Sequence, residues 1–142
     1  MGTVKMTVTF PNKLLTQMEK ATLDDAAIET TLTAGAEVVK DKVSSNLSGV
    51  IGKDLKYESR STGELSSSLG ITPLKTDGEG YNVKVGFDEP RSDGESNAKI
   101  ANILEYGKSG QSAKPFMTPA KNSSKKSCIA AMEAAFKQET GL

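Results

Sequence analysis

The 142-residue chain contains no histidine. Ser-His-Asp and Cys-His schemes need an imidazole as general base, so both are removed, as are the commonest zinc sites. Ser-Lys chemistry is open to a small hydrolase, because serines and lysines abound, yet no pair stands at a diagnostic spacing. The single cysteine, Cys128, lies beside Ile129 in an apolar-edged helical stretch, the setting of a structural thiol and not of a thiolate nucleophile. Asp88, Glu89, Asp93 and Glu95 crowd together as calcium ligands would, but they lack the regular ligand spacing and central glycine of an EF-hand loop. Gly78-x-Gly80 continues to Val83 where a phosphate loop needs a third glycine, so it reads as a hairpin turn. Lys121, Lys125 and Lys126 make a basic patch without the interleaved aromatics on which bases stack. A DNA-binding module built on these lysines would use phosphate contacts alone and show a steep salt dependence. The residues therefore predict no catalytic set, no metal and no cofactor.

The elements that position these residues follow from periodicity. Val4, Met6, Val8 and Phe10 alternate with polar residues, a strand that Pro11 stops before a short helix carrying Leu14, Leu15 and Met18. Thr22-Leu23-Asp24-Asp25 caps a long helix whose apolar stripe is Ile28, Leu32, Ala36, Val39, Val43 and Leu47. Residues 48–61 read as a surface loop, and Ser61-x-x-Glu64 as a capping box for a short helix bearing Leu65. Leu69 and Ile71 begin a strand, Asp77-Gly78-Glu79-Gly80 turns the chain, and Tyr81, Val83, Val85 and Phe87 return, giving a β-hairpin. Asp88 to Asn97 is a second loop, with Ser92-x-x-Glu95 capping a helix over Ala98 to Tyr106. A final helix with Ile129, Met132 and Phe136 along its apolar edge ends near Gly141. The expected fold is α+β: one domain over residues 1–142, in which a long helix and a C-terminal helix pack on a small antiparallel sheet with a β-hairpin.

Between the last two helices lies Ala101 to Ala120, ANILEYGKSGQSAKPFMTPA. Gly107 suits a helix C′ position, where a positive φ is cheap without a Cβ. Thr118-Pro119 reads as an N-cap followed by the first helical residue. Tyr106 and Phe116 are expected to close the loop onto the local core. Glu105 stands in the last turn of a helix, where the macrodipole disfavours a carboxylate by a few tenths of a kcal/mol. That placement calls for a lysine partner from the following loop or a neighbouring subunit, unless the side chain is simply exposed. A polar loop, 108–114, fenced so sharply on both sides suggests presentation to a partner.

This stretch resembles the "LE(F/Y)G … (R/K)PF(L/M)xPA" core of the phage tail-component family, the tail-completion or neck proteins of long-tailed phages. Thr62-Gly63-Glu64-Leu65-Ser66-Ser67-Ser68-Leu69 is similar to the family's "TGxLxxS(I/L)" turn, and Tyr81 to Phe87 to the strand that follows it. The resemblance spans roughly residues 24 to 136, and the family-pattern residues are Thr62, Gly63, Leu65, Glu105, Tyr106, Gly107, Pro115, Phe116 and Pro119. Where many members carry a small basic or Thr-rich stretch, this chain has the short Lys108-Ser109-Gly110-Gln111-Ser112. The resemblance implies a structural virion protein at the neck, assembled in the host cytoplasm. It would form a homo-oligomeric ring, a hexamer among the counts allowed, that joins the tail to the head-side connector. Its partners would be copies of itself, neighbouring connector proteins, and tail terminator or tail tube proteins, with DNA crossing the lumen without sequence-specific binding. Tail terminator and head closure are the other neck roles open to it.

Charge distribution bears on the same expectation. The chain carries 18 basic and 18 acidic residues, so no global field argues for nucleic acid. Residues 76–107, however, hold three basic against seven acidic side chains, and residues 108–142 six lysines against two glutamates. An acidic block beside a basic one suits head-to-tail packing of identical subunits, unless both are ordinary solvated faces. The possible subunit contacts are Lys108, Lys114, Lys121, Lys125 and Lys126 on one side and Asp88, Glu89 and Asp93 on the other. One cysteine permits no internal disulfide, and no apolar run approaches a membrane span. The opening Met1-Gly2-Thr3-Val4-Lys5 carries no signal-peptide pattern, so the protein reads as cytosolic before assembly.

Overall fold

The computed structural model describes residues 6–21, 24–50, 68–77, 80–87, 97–107, 109–110 and 112–140. Among these, four helices accompany a small antiparallel sheet of four strands. The strands are β1 (Met6–Val8), β2 (Leu69–Ile71), β3 (Lys75–Asp77) and β4 (Gly80–Phe87). The helices are α1 (Asn12–Ala21), α2 (Asp25–Val50), α3 (Asn97–Tyr106) and α4 (Met117–Thr140).

Helix α2 is the spine. Its 26 residues make a rod of about 39 Å at 1.5 Å per residue. Asp24 caps it, the Ala27 N–H donating to Asp24 Oδ1 at 2.8 Å. Every residue of the expected apolar stripe is buried, Ile28, Leu32, Ala36, Val39, Val43 and Leu47 all exposing 6% or less. The helix runs through Val50, so Ser48 and Gly49 close its last turn instead of opening a loop. The Ser48 hydroxyl donates to the Ser44 carbonyl at 3.0 Å, which satisfies a polar side chain without leaving the helix. The remainder of the 48–61 loop, the Ser61-x-x-Glu64 box, Thr62, Gly63 and Leu65 lie outside the described residues. So does the loop 88–96 with Asp88, Glu89, Asp93 and the Ser92-x-x-Glu95 cap.

The sheet order is β1-β4-β2, with β3 also pairing β4. Val83, Val85 and Phe87 of β4 are buried, as the period-2 pattern requires, while Lys84 and Gly86 between them are half-buried. The returning strand is single as expected, but the outgoing strand is split into β2 and β3, for a physical reason. Ile71 faces Val85 and Lys75 faces Asn82, so three residues oppose two and the register slips by one. Pro73, which has no N–H to give, falls within that bulge. Its neighbours are accounted for: Thr72 N–H donates to the Lys84 carbonyl and Lys84 N–H to Thr72 Oγ1, both at 2.8 Å. Leu74 N–H turns away to Glu29 Oε2 of α2 at 2.7 Å.

Helices α2 and α4 pack side by side. The buried residues of α4 recur almost strictly every four positions: Met117, Ala120, Ser124, Cys128, Met132 and Phe136. Gly35 of α2 lets them approach closely, since a Cβ built there would lie 2.6 Å from Met132 Cγ and 3.0 Å from Cys128 Sγ. Helix α1 contributes Leu14 and Met18 to the same core, whereas Leu15 remains 37% exposed, off that face. No helix among the described residues is long and apolar enough to cross a membrane.

Candidate functional site

The frame around the loop that joins α3 to α4 is built on Glu105. This residue exposes only 3% of its surface, although it sits at the C-terminal end of α3. Its partners are backbone N–H groups and not a lysine. Glu105 Oε1 accepts the N–H groups of Phe116 at 2.9 Å and Met117 at 2.7 Å, and Oε2 that of Thr118 at 3.1 Å. A helix leaves its first N–H groups without intrahelical acceptors. Here Phe116, Met117 and Thr118 donate to one carboxylate, and Pro119, next in line, has no N–H to satisfy. The start of α4 is thereby accounted for. The helix begins at Met117, ahead of the expected Thr118-Pro119 cap, because the cap is supplied by a side chain eleven residues upstream. The small penalty at the end of α3 is outweighed by three charge-assisted hydrogen bonds at the positive end of α4. Burial pushes the Glu105 carboxyl up. The Met117 and Phe116 amides, with the Thr118 hydroxyl and amide, outweigh it and hold the group below its ordinary value.

Phe116 is the second fixed point. Its side chain is fully buried and meets Phe87 of β4 edge-on, ring centroids 6.0 Å apart at 66°. Its carbonyl accepts Asn46 Nδ2 of α2 at 3.1 Å. One residue therefore ties together the sheet, the long helix and the α3–α4 joint. At the other end of the loop Gly107 has φ 79°, the left-handed conformation of a helix C′ residue. Its N–H donates to the Ile103 carbonyl at 2.7 Å, and the Lys114 N–H reaches back to the Leu104 carbonyl at 2.7 Å. The loop leaves and returns at the same turn of α3, so its geometry is closed by backbone bonds.

Tyr106 departs from the expected core role. It is 71% exposed, because Ala101, Leu104 and Glu105 take the inward face of α3 and the residue after Glu105 points away. Pro115 and Pro119 are also exposed. Of the charged residues expected at subunit contacts, Lys121, Lys125 and Lys126 are exposed on α4 and Lys114 is half-buried, while Lys108 lies outside the described residues. Asn46 and Phe87 complete the frame from outside the α3–α4 segment and carry no signal in it, while Met117 fills the (L/M) place of the pattern within it. Only the burial stripe of α2 and the alternation of β4 could have pointed to the first two.

For catalysis the described residues offer little. No group of three or more His, Cys, Asp or Glu side chains among them could hold a metal ion. Cys128 is buried, and that burial pushes its thiol above the ordinary range, away from the thiolate. What the geometry provides is a rigid support: a buried carboxylate and a buried ring hold a short loop and an outward tyrosine.

Comparison with curated proteins and with solved structures finds no match. A family described as "Bacteriophage HK97-gp10, putative tail-component" does match, over residues 12–107. The matched stretch begins earlier than the resemblance at residue 24 and ends at Gly107. It includes Thr62, Gly63, Leu65, Glu105, Tyr106 and Gly107, and leaves Pro115, Phe116 and Pro119 beyond it. Since the match takes in more than half of the chain and stops where the Glu105 frame opens into its loop, the chain belongs to the HK97-gp10-like family of phage tail components.

Proposed function

We propose that this protein is a ring-forming structural subunit at the head-proximal end of the tail, where it joins the tail to the head-side connector. Membership of a tail-component family supplies the setting. The observation that carries the finer reading is the contrast between adjacent residues: Glu105 is 3% exposed and locked into the frame, and Tyr106 is 71% exposed beside it. A large aromatic held outward on a rigid support suits a protein contact, because tyrosine brings much contact area at little entropic cost. The loop of residues 108–114 and Tyr106 form that contact, and the acidic and basic blocks orient successive copies head to tail. DNA passes through the lumen without base-specific contact.

Mass measurement of the purified protein, alone and with tail tubes or capsids, tests this reading. A defined closed oligomer, or stoichiometric attachment to one of those particles, is expected. Tyr106→Ser is expected to weaken that association by about ten-fold while leaving the monomer folded. A strict monomer that attaches to neither particle overturns the proposal.

A further inference from the structure

Among the described residues β1 has β4 as its single partner, so its other edge is open to pairing. A strand edge presents unpaired N–H and C=O groups and is a template for an added strand. Along this edge runs a groove of about 640 Å³. Six consecutive residues, Met6 to Pro11, line one side, and residues of α4 from Lys121 to Met132 line the other. At strand rise the first wall is about 20 Å long, and at helical rise the second is about 18 Å. Walls of like length fit a groove that follows the strand, with room for an extended segment of about six residues.

The chemistry of the groove changes along α4. The exposed Lys121 and Lys125 come first, on the rim, and Cys128, Ile129 and Met132 follow, with Val39 of α2 completing an apolar floor. Among the described residues no acidic side chain lines the groove, and α4 carries none before Glu133. Two lysines four residues apart are separated by about 6 Å along a helix axis. Side chains at i and i+2 on one face of a strand are about 6.8 Å apart, so two carboxylates so placed match the lysine pair. Bases would find little to stack on, since Phe10, the one aromatic among the lining residues, is buried. No described strand of this chain carries two acids at that spacing, and the exposed charge on β3 is Lys75, of the same sign as the rim.

We propose that the groove between β1 and α4 binds an extended acidic segment of a different protein, which adds as a strand to the edge of β1. Backbone hydrogen bonds to β1 supply the pairing, as in other strand-addition complexes. On the inward face of the segment, carboxylates at i and i+2 meet Lys121 and Lys125, and apolar side chains beyond them cover Ile129 and Met132. β1 is only three residues long, so pairing alone is weak and the side chains must select the partner. Tyr106 and Lys126 do not line the groove, so this contact is separable from the ring contacts proposed above.

Peptide binding to the full-length protein tests it, with thermal melting as the control for folding. The probes are Asp-Thr-Glu-Thr-Val-Thr-Val and its reverse, which cover both strand directions, together with Lys-Thr-Lys-Thr-Val-Thr-Val and its reverse. One of the acidic peptides is expected to bind saturably at low ionic strength and to slow amide hydrogen exchange in the Met6–Val8 stretch. Lys121→Glu with Lys125→Glu should weaken that binding by at least about ten-fold and make the protein bind the lysine peptide instead. Lys126→Glu, the same charge change outside the groove, should leave binding within about two-fold, and N-methylation of the peptide backbone should abolish it. Failure of both acidic peptides at millimolar concentration overturns the proposal, whether the groove is inert or another segment of this chain fills it. So does binding that ignores the charge swap, or protection that spares β1. Oligothymidylate bound through Lys121 and Lys125 in place of the peptides would assign the lysines to nucleic acid. Dissociation of an assembled protein by the peptides would make the groove a contact between copies, and either outcome overturns the proposal.

Discussion

At the scale of single residues, Glu105 decides how α3 and α4 meet. A carboxylate at a helix C-terminus reads as misplaced when only its own helix is considered. The three N–H donors of another helix start reverse the balance, because hydrogen bonds to a charged group contribute about 1.5–3 kcal/mol against a few tenths for the unfavourable dipole. Glu105→Gln keeps one carbonyl acceptor but presents an amide NH₂ to backbone donors, so it should destabilise the fold by about 2 kcal/mol. Glu105→Ala should cost more, because three donors lose their acceptor. The pH dependence has a definite sign. Glu105 titrates below its ordinary value of 4.5 in the folded state, so its contribution is full above about that pH and fades as pH falls through the folded value. Chemical denaturation of wild type and Glu105→Gln across pH 7 to 3 should therefore show the two stabilities converging on the acid side. A gap that stays constant through that range would show that the charge is not what matters. The need for a partner was legible in the sequence, because a carboxylate stood where the dipole opposes it. Its identity was not, because backbone amides leave no mark in composition. Tyr106 was misassigned for a related reason: an aromatic next to a loop reads as core unless the neighbouring residue is known to occupy the inward direction.

At the scale of elements, the long helix and the alternation of β4 were the most readable parts of the chain. Ile28 through Leu47 recur at helical spacing, and Val83, Val85 and Phe87 alternate, so their burial follows from periodicity alone. The bulge at Thr72–Leu74 was not readable, since a one-residue slip is set by pairing partners and by where Pro73 can be tolerated. The α2–α4 contact was equally hidden, because it depends on Gly35 being small at one particular crossing. That crossing yields a prediction in which two effects oppose each other. Glycine in a helix interior costs about 1 kcal/mol relative to alanine, so propensity favours Gly35→Ala. The new methyl group would, however, lie 2.6 Å from Met132 Cγ, an atom close to the backbone of a buried side chain rather than its mobile end. Steric displacement should win, with a net loss of about 1–2 kcal/mol. Gly35→Ala combined with Met132→Ala should recover part of that loss relative to Met132→Ala alone, because the methyl group then occupies vacated space. Melting curves of the single and double variants measure both terms, and a stabilised Gly35→Ala single variant would show that α4 shifts freely on α2.

At the scale of the whole molecule, the proposed assembly rests on charge separation with zero net charge. The 18 basic and 18 acidic residues cancel, yet an acidic stretch of residues 76–107 is followed by a basic one of 108–142. A molecule of this kind repels a copy in orientations that bring like blocks together and attracts it in those that bring unlike blocks together, so electrostatics here selects geometry more than it adds affinity. The structure places Lys121, Lys125 and Lys126 on the exposed surface of α4, free to face a neighbour. Surface charges separated by more than the Debye length, about 10 Å at 0.1 M salt, are largely screened. Association steered by these blocks should therefore weaken progressively as sodium chloride rises from about 0.05 to 0.5 M. Association driven only by apolar surface should hold steady or strengthen over the same range, because excluded salts favour burial. Sedimentation of one protein concentration through that salt series separates the two by sign. A mass distribution that is unchanged or shifted upward at high salt would remove the charge blocks from the assembly mechanism and leave Tyr106 and its loop to carry it.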